Sequence, residues 1–211
     1  MTCRCKSRFN AVFMKNLEWY MKNVYGKHKI ELFNRIGGKV LEIGAGTGIN
    51  LDYYKKVKDL TVIEPSKEML EYLKDKAVRS DIKLHIIEGV GEKLPFEDNS
   101  FDAVVSTLVL CSVKSQSKVL REIKRVLKPG GIFVFIEHVV APEGSFTYSV
   151  QNILQPAWKW LFEGCDIKRD TASVIRRYFP DAYIKNVRFK SPFIPVNYHI
   201  VGYGIKKDHS A

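Results

Sequence analysis

Residues 40–48 constrain this chain more than any other stretch. Val40-Leu41-Glu42-Ile43 reads as a buried strand, and it opens at once into Gly44-Ala45-Gly46-Thr47-Gly48, three glycines at alternate positions. Glycine permits positive φ and lets backbone N–H groups come close to a bound molecule. A second apolar run at residues 60–63 ends in Glu64-Pro65. A strand, a glycine turn and a carboxylate one strand later form the layout of a nucleoside-binding crossover, in which the acid takes the ribose hydroxyls.

Spacing narrows the nucleoside. A dinucleotide fingerprint, G-x-G-x-x-G, needs its third glycine three places after the second. Ile49 stands there, and the third glycine comes one residue earlier at Gly48. Glu42, two residues before the first glycine, would face a pyrophosphate badly, because helix N-termini that hold phosphate favour bare N–H groups. It suits a ligand that carries positive charge. S-adenosylmethionine (SAM), with a sulfonium and an α-ammonium, is such a ligand. Glu42, Gly44, Ala45, Gly46, Gly48 and Asn50 are the expected first part of its site, with Glu64 and Pro65 at the ribose.

The 211 residues suffice for one large α/β domain. Charge is unevenly placed: residues 1–39 carry nine Lys/Arg against two Asp/Glu, residues 40–150 fifteen against sixteen, and residues 151–211 ten against five. A neutral centre with basic ends argues for a local basic face and against nucleic acid as a partner. No stretch approaches the roughly 20 apolar residues of a membrane span, and no signal peptide is visible. Cys3, Cys5, Cys111 and Cys165 lack paired C-x-x-C spacing, so neither a metal nor a disulfide framework is expected, and a reducing, cytoplasmic setting is. Cys3-x-Cys5 reads as an unanchored terminus, with metal or thiol chemistry as the alternative.

The pattern predicts an N-terminal segment, 1–38, with an amphipathic helix at about 9–25, and a second unit, 39–211. The helix alternates Phe9, Val12, Phe13, Leu17, Tyr20, Met21 and Val24 with Arg8, Lys15 and Lys22, which suits a lid packed on the domain or a contact with an anionic membrane surface. Strands are expected at 39–43, 60–63, 83–87, 101–106 and 132–137, and helices at 49–56, 66–78 and 117–127. The last of these is stopped by Lys128-Pro129-Gly130-Gly131. Five βα steps imply a doubly wound parallel sheet. An aromatic-rich, helical insertion follows at about 145–164, then a short helix near 171–178 and strands at about 183–189 and 198–205.

Glu42-x-Gly44-x-Gly46-x-Gly48, Glu64-Pro65, the segment from Gly91-Glu92 through Leu94-Pro95-Phe96 to Asp102, and Arg125 to Gly131 stand in the order of the motifs of class I SAM-dependent methyltransferases, which they resemble. The segments Thr107-Leu108-Val109-Leu110-Cys111-Ser112-Val113, Glu137-His138-Val139, Pro156-x-Trp158-Lys159 and Gly164-Cys165 are similar to the mammalian microsomal alkyl-thiol methyltransferases (methyltransferase-like family seven) and their prokaryotic relatives. The resemblance implies a seven-stranded Rossmann-like sheet with a C-terminal antiparallel hairpin, SAM as methyl donor with S-adenosylhomocysteine as product, and no metal. It also implies a small lipophilic thiol as acceptor, with phospholipid or amine N-methylation, or SAM binding in the service of a partner protein, as alternatives. Mammalian members begin with an apolar anchor that this sequence lacks, so at most peripheral membrane contact is expected. Val90 stands where the family pattern has Asp, which shifts the adenine contact toward Gly91 and Glu92.

Methyl transfer is an in-line displacement that rewards positioning and exclusion of water. Thr107 and Leu108 are expected at the amino-acid end of SAM. Cys111, His138, Trp158 and Phe162 are expected to line the acceptor pocket, with His138 as a base or orienting group at the end of its strand.

Overall fold

The computed structural model describes residues 4–189 and 192–207; Cys3 of the Cys3-x-Cys5 pair lies outside the described residues. Seven strands form one mixed sheet in the order β3-β2-β1-β4-β5-β7-β6. The strands are β1 (Lys39–Ile43), β2 (Asp59–Glu64), β3 (Lys83–Glu88), β4 (Phe101–Thr107), β5 (Leu127–His138), β6 (Tyr183–Arg188) and β7 (Tyr198–Ile205). The first five run parallel; β7 is antiparallel to both β5 and β6. The expected doubly wound sheet with its terminal hairpin is therefore present.

Alternation along each central strand divides the core between the two sheet faces. Val40, Ala103, Val105, Val134 and Ile136 pack with one cluster, which includes Met21, Tyr25, Leu32 and Phe33 of α2 (Glu18–Phe33) and Leu70 and Leu73 of α3 (Lys67–Ala77). Leu41, Ile43, Val104, Phe133 and Phe135 pack with the other, against Val119, Leu120 and Ile123 of α4 (Gln116–Val126) and Ile175 of α6 (Thr171–Tyr178). Ser66 caps α3 as its sequence position predicts, accepting from the Met69 amide at 3.3 Å.

Several boundaries differ from expectation. The helix expected at 49–56 is a single 3-10 turn, Leu51–Tyr53. Its neighbours are pulled elsewhere: Gly48 sits at φ 79°, and Asn50 and Tyr54 both turn their side chains onto Glu42. The 9–25 helix is two helices, α1 (Arg4–Asn16) and α2, with a break at Leu17. Backbone bonds still bridge the break, from Leu17 to Phe13 and from Met21 to Leu17. Glu18 at the start of α2 is drawn to Thr47 and Lys76. No helix lies between β3 and β4, so only part of the expected βα series holds. β5 starts at Leu127, earlier than expected, and its register with β4 shifts between Phe101 and Ala103. The aromatic insertion is α5 (Phe146–Leu161), which carries Pro156 within it.

Candidate active site

The glycine loop follows β1 with Gly44, Gly46 and Gly48 all at positive φ (67°, 56° and 79°). Two of the three have specific neighbours. A Cβ on Gly44 would lie 2.4 Å from a Val109 methyl, and one on Gly48 would lie 2.7 Å from Leu73. Gly46 has nothing within 4 Å of that position, so the loop is open at its middle residue.

Glu64 closes the loop from the neighbouring strand. Its Oε2 accepts from the Gly46 amide at 2.9 Å and its Oε1 from the Ser66 amide at 2.9 Å. A carboxylate has about four acceptor positions, so each oxygen retains one for a hydroxyl. Burial raises the Glu64 carboxyl above its ordinary value, against the pull of those two amides.

Glu42 faces inward. It is 1% exposed, with Asn50 Nδ2 at 2.7 Å on one oxygen and Tyr54 Oη at 2.8 Å on the other. Asn50 also donates to Thr107 Oγ1 at 2.8 Å, tying the end of β1 to the end of β4. Its own Oδ1 is buried without a hydrogen-bond partner. Lys29 is also buried; burial lowers its ammonium to about 8, with the charge of Glu42 opposing that shift. Glu42 thus shapes the loop through Asn50 and Tyr54. Of these polar atoms, Asn50 Oδ1 has no hydrogen-bond partner of its own.

The loop after β4 is held by a residue that sequence reading did not place in the site. Glu137, fully buried near the end of β5, accepts from Ser106 Oγ at 2.7 Å and from the amides of Val109 (3.2 Å) and Leu110 (3.1 Å). Leu108 in this loop adopts φ 59°, a conformation uncommon outside glycine. Glu137 thereby fixes Val109 against Gly44. An acid inside an otherwise apolar strand was the available sign.

Glu92 Oε1 accepts from the amides of Lys114 (2.7 Å) and Ser115 (3.4 Å), so this oxygen closes the turn before α4. A Cβ on Gly91 would lie 3.0 Å from an Ile43 methyl. Pro65 continues from Glu64 into the Ser66 cap.

Cys111, His138 and Cys165 come together beside the ends of β4 and β5. His138 Nε2 lies 3.1 Å from Cys165 Sγ, and Trp158 Nε1 donates to the same sulfur at 3.3 Å. Cys111 Sγ lies 3.6 Å from the Leu108 carbonyl oxygen. Trp158 stacks obliquely on Phe162, with centroids 4.4 Å apart. Trp158 and Phe162 pack against Cys111 and Cys165, whereas Trp160 is exposed on the surface. The hydrogen bond shared between the two cysteines holds Cys111 as a thiol, well above its ordinary value, and makes Cys165 the more acidic of the pair. Burial pulls the His138 imidazole down, but Cys111 and Glu137 beside it leave it above the usual histidine value.

His138 pairs across the sheet with His199, whose Nε2 lies 2.8 Å from Tyr25 Oη. Burial, then the neighbouring His138, pushes His199 down to about 3. The unfolded chain, with histidine near 6.5, binds the extra proton first, so this site's contribution to stability is lost as pH falls from 6.5 toward 3. The slope approaches about 1.4 kcal/mol per pH unit. A His199→Gln variant is expected to show a flatter pH dependence of its urea midpoint between about pH 6 and 4. An unchanged slope would assign that acid sensitivity to other groups.

These features fit SAM: an open middle glycine, a carboxylate with spare acceptor positions, and an unpartnered buried amide oxygen at the ends of β1 and β4. Together with the sheet order they define a class I SAM-dependent methyltransferase. Residues 41–135 match the Methyltransferase domain model of the Methyltransf_11 family. The chain is 35% identical to thiol S-methyltransferase TMT1A of Homo sapiens, covering 96% of this chain and 87% of that protein. It is 37% identical to thiol S-methyltransferase TMT1B of Rattus norvegicus, again over 96% and 87%. On these matches the chain belongs to the thiol S-methyltransferase family. Among solved structures, Haemonchus contortus phosphoethanolamine N-methyltransferase 2 in complex with SAM aligns with a TM-score of 0.68 at 15% identity, over 90% of this chain and 57% of that one. That likeness supports the fold.

Proposed function

We propose that this enzyme methylates the sulfur of small lipophilic thiols. The observation that carries the reading is the buried acceptor-side group of Cys111, His138 and Cys165, walled by Trp158 and Phe162, next to the loop that Glu137 pins against the glycine turn. Bound SAM supplies an electrophilic methyl group. Glu64 would hold its ribose, the amides around Gly46 its amino-acid end, and Asn50 Oδ1 its ammonium. The aromatic wall favours an apolar acceptor and excludes water. A thiol near its ordinary pKa of about 8.5 needs only mild help to ionise, and His138 would orient it.

The N-terminal helix fits the lid reading. Ser7 donates to Glu68 at the start of α3 at 2.9 Å, and Asn10 donates to the Leu161 carbonyl at the end of α5 at 3.1 Å. Phe13 packs on Phe162. Contact with an anionic membrane surface is compatible with this. Phe9, Val12, Phe146, Ile153 and Trp160 are exposed, and Lys6 lies over the Trp160 ring at 4.8 Å. No helix among the described residues is long and apolar enough to cross a membrane.

The test is turnover with labelled SAM and a panel of alkyl thiols, hydrogen sulfide, ethanolamine lipids and quinols. Methylated alkyl thiols are the expected product. Methylation of ethanolamine lipids with no thiol product would overturn the reading.

A further inference from the structure

Cys111, His138 and Cys165 come from three separate elements, yet their ligand-type atoms all lie within 4.8 Å of one another, and all three residues are buried. We infer that this triangle is a binding site for a thiophilic divalent cation of the zinc type, with three protein ligands and a fourth position for the acceptor thiolate. The acceptor half of this inference rests on the thiol reading above; the cation half does not.

Donor chemistry and geometry both support the site. Two cysteine sulfurs and one imidazole nitrogen form a soft, three-ligand set of the kind zinc takes in sites that keep an open position. Around a tetrahedral zinc, with bonds of about 2.3 Å to sulfur and 2.0–2.1 Å to nitrogen, neighbouring ligand atoms stand roughly 3.5 Å apart. The His138 Nε2 to Cys165 Sγ distance of 3.1 Å is within a small expansion of that. Two thiolates neutralise a divalent cation, so the loaded site carries no net charge. That suits surroundings made of Ile167, Trp158, Phe162 and Val196.

The positions are fixed independently of any ion. The Cys111 carbonyl accepts from the Asp166 amide at 2.9 Å, and the Cys165 amide donates to the Phe162 carbonyl at 2.9 Å. The Trp158 indole N–H on Cys165 Sγ is the sort of outer hydrogen bond that orients a metal-bound thiolate. Three protein ligands leave one coordination position. Cys111 lies beside Leu108, in the loop that contacts the glycine turn. When an acceptor thiol enters, a metal–sulfur bond forms, the water at that position leaves, and the thiol proton passes to solvent.

The test uses full-length protein, reduced with a phosphine, stripped with chelator and titrated with Co²⁺. One equivalent is expected to give near-ultraviolet thiolate-to-cobalt absorption and visible bands of tetrahedral coordination, both displaced by Zn²⁺. Cys111→Ala and Cys165→Ala are each expected to weaken Co²⁺ binding by more than the roughly 10–100-fold that loss of an outer partner causes. A variant with both Cys3 and Cys5 replaced by Ser should bind as the unchanged chain does. Should either Ala variant fail to fold, the melting temperature of the unchanged protein decides the matter: a rise on adding stoichiometric Zn²⁺ supports the site, and no rise counts against it.

Absence of the cobalt bands, or bands that persist in both Ala variants, overturns the inference. Loss of the bands only in the Cys3/Cys5 variant would do the same by moving the site to the terminus. An alkyl thiol is expected to shift the visible bands, and bands indifferent to thiols overturn the acceptor half. The two readings fail separately. Thiol methylation by protein that gives no cobalt bands removes the cation site alone, whereas cobalt bands with lipid methylation only remove the thiol reading alone.

Discussion

Glu64→Ala is expected to weaken SAM binding by about 100-fold while the protein remains folded. The carboxylate would hold two ribose hydroxyls, and hydrogen bonds to a charged group contribute about 1.5–3 kcal/mol each. Losing roughly 3 kcal/mol in total is two orders of magnitude in affinity. The same carboxylate also receives the Gly46 and Ser66 amides, so part of the loss comes from a looser glycine loop. Glu64→Gln separates these contributions, because it keeps the shape and one acceptor oxygen while removing the charge. Its expected loss is about tenfold. Calorimetric titration with S-adenosylhomocysteine, alongside far-ultraviolet circular dichroism, checks both variants. Affinity unchanged in the Ala variant would exclude Glu64 from the ribose site.

The largest effect on stability is expected at Glu137. Removing its side chain leaves the Val109 and Leu110 amides and the Ser106 hydroxyl without their acceptor. Each such group costs about 1–3 kcal/mol when buried and unpaired. Glu137→Ala should therefore lose about 4 kcal/mol, which for a chain of this size lowers the melting temperature by about 10 °C. Glu137→Gln retains one acceptor oxygen and should fall between. The loop also has outside support, from Arg169 (2.6 Å) and Gln116 (3.1 Å) on the Leu110 carbonyl. Should Glu137→Ala lose less than about 1 kcal/mol in urea unfolding, those two contacts would be the ones that hold the loop.

The sheet was legible in the sequence because its signals are local. Short apolar runs, the Gly44–Gly48 turn and the terminator at Lys128–Gly131 each follow from a few adjacent residues. Glu64 was legible for the same reason. The 3-10 turn after the glycines was not, because Asn50 and Tyr54 are recruited by Glu42 in three dimensions while their local pattern still reads as helix. The bond from Thr47 to Glu18, beside the break at Leu17, spans 29 residues and was likewise out of reach of local pattern. Cysteine spacing, searched for paired motifs, could not reveal the group at 111, 138 and 165. Only the convergence of the ends of β4 and β5 with the turn after α5 assembles it. Glu92 was named from a family position alone, and its bonds to the Lys114 and Ser115 amides were equally out of reach of local pattern.

The N-terminal helix bears on how variants of this enzyme behave. Within two turns, α1 is bonded to the start of α3, which follows Glu64, and to the end of α5, whose Trp158 packs beside Cys111 and Cys165. It is a tie beam between the two halves of the proposed site. A change at Ser7 or Asn10 therefore cannot be assigned to donor or acceptor by proximity. Any coupling it carries has to be equal in both directions, so the effect of donor on acceptor affinity must match that of acceptor on donor affinity.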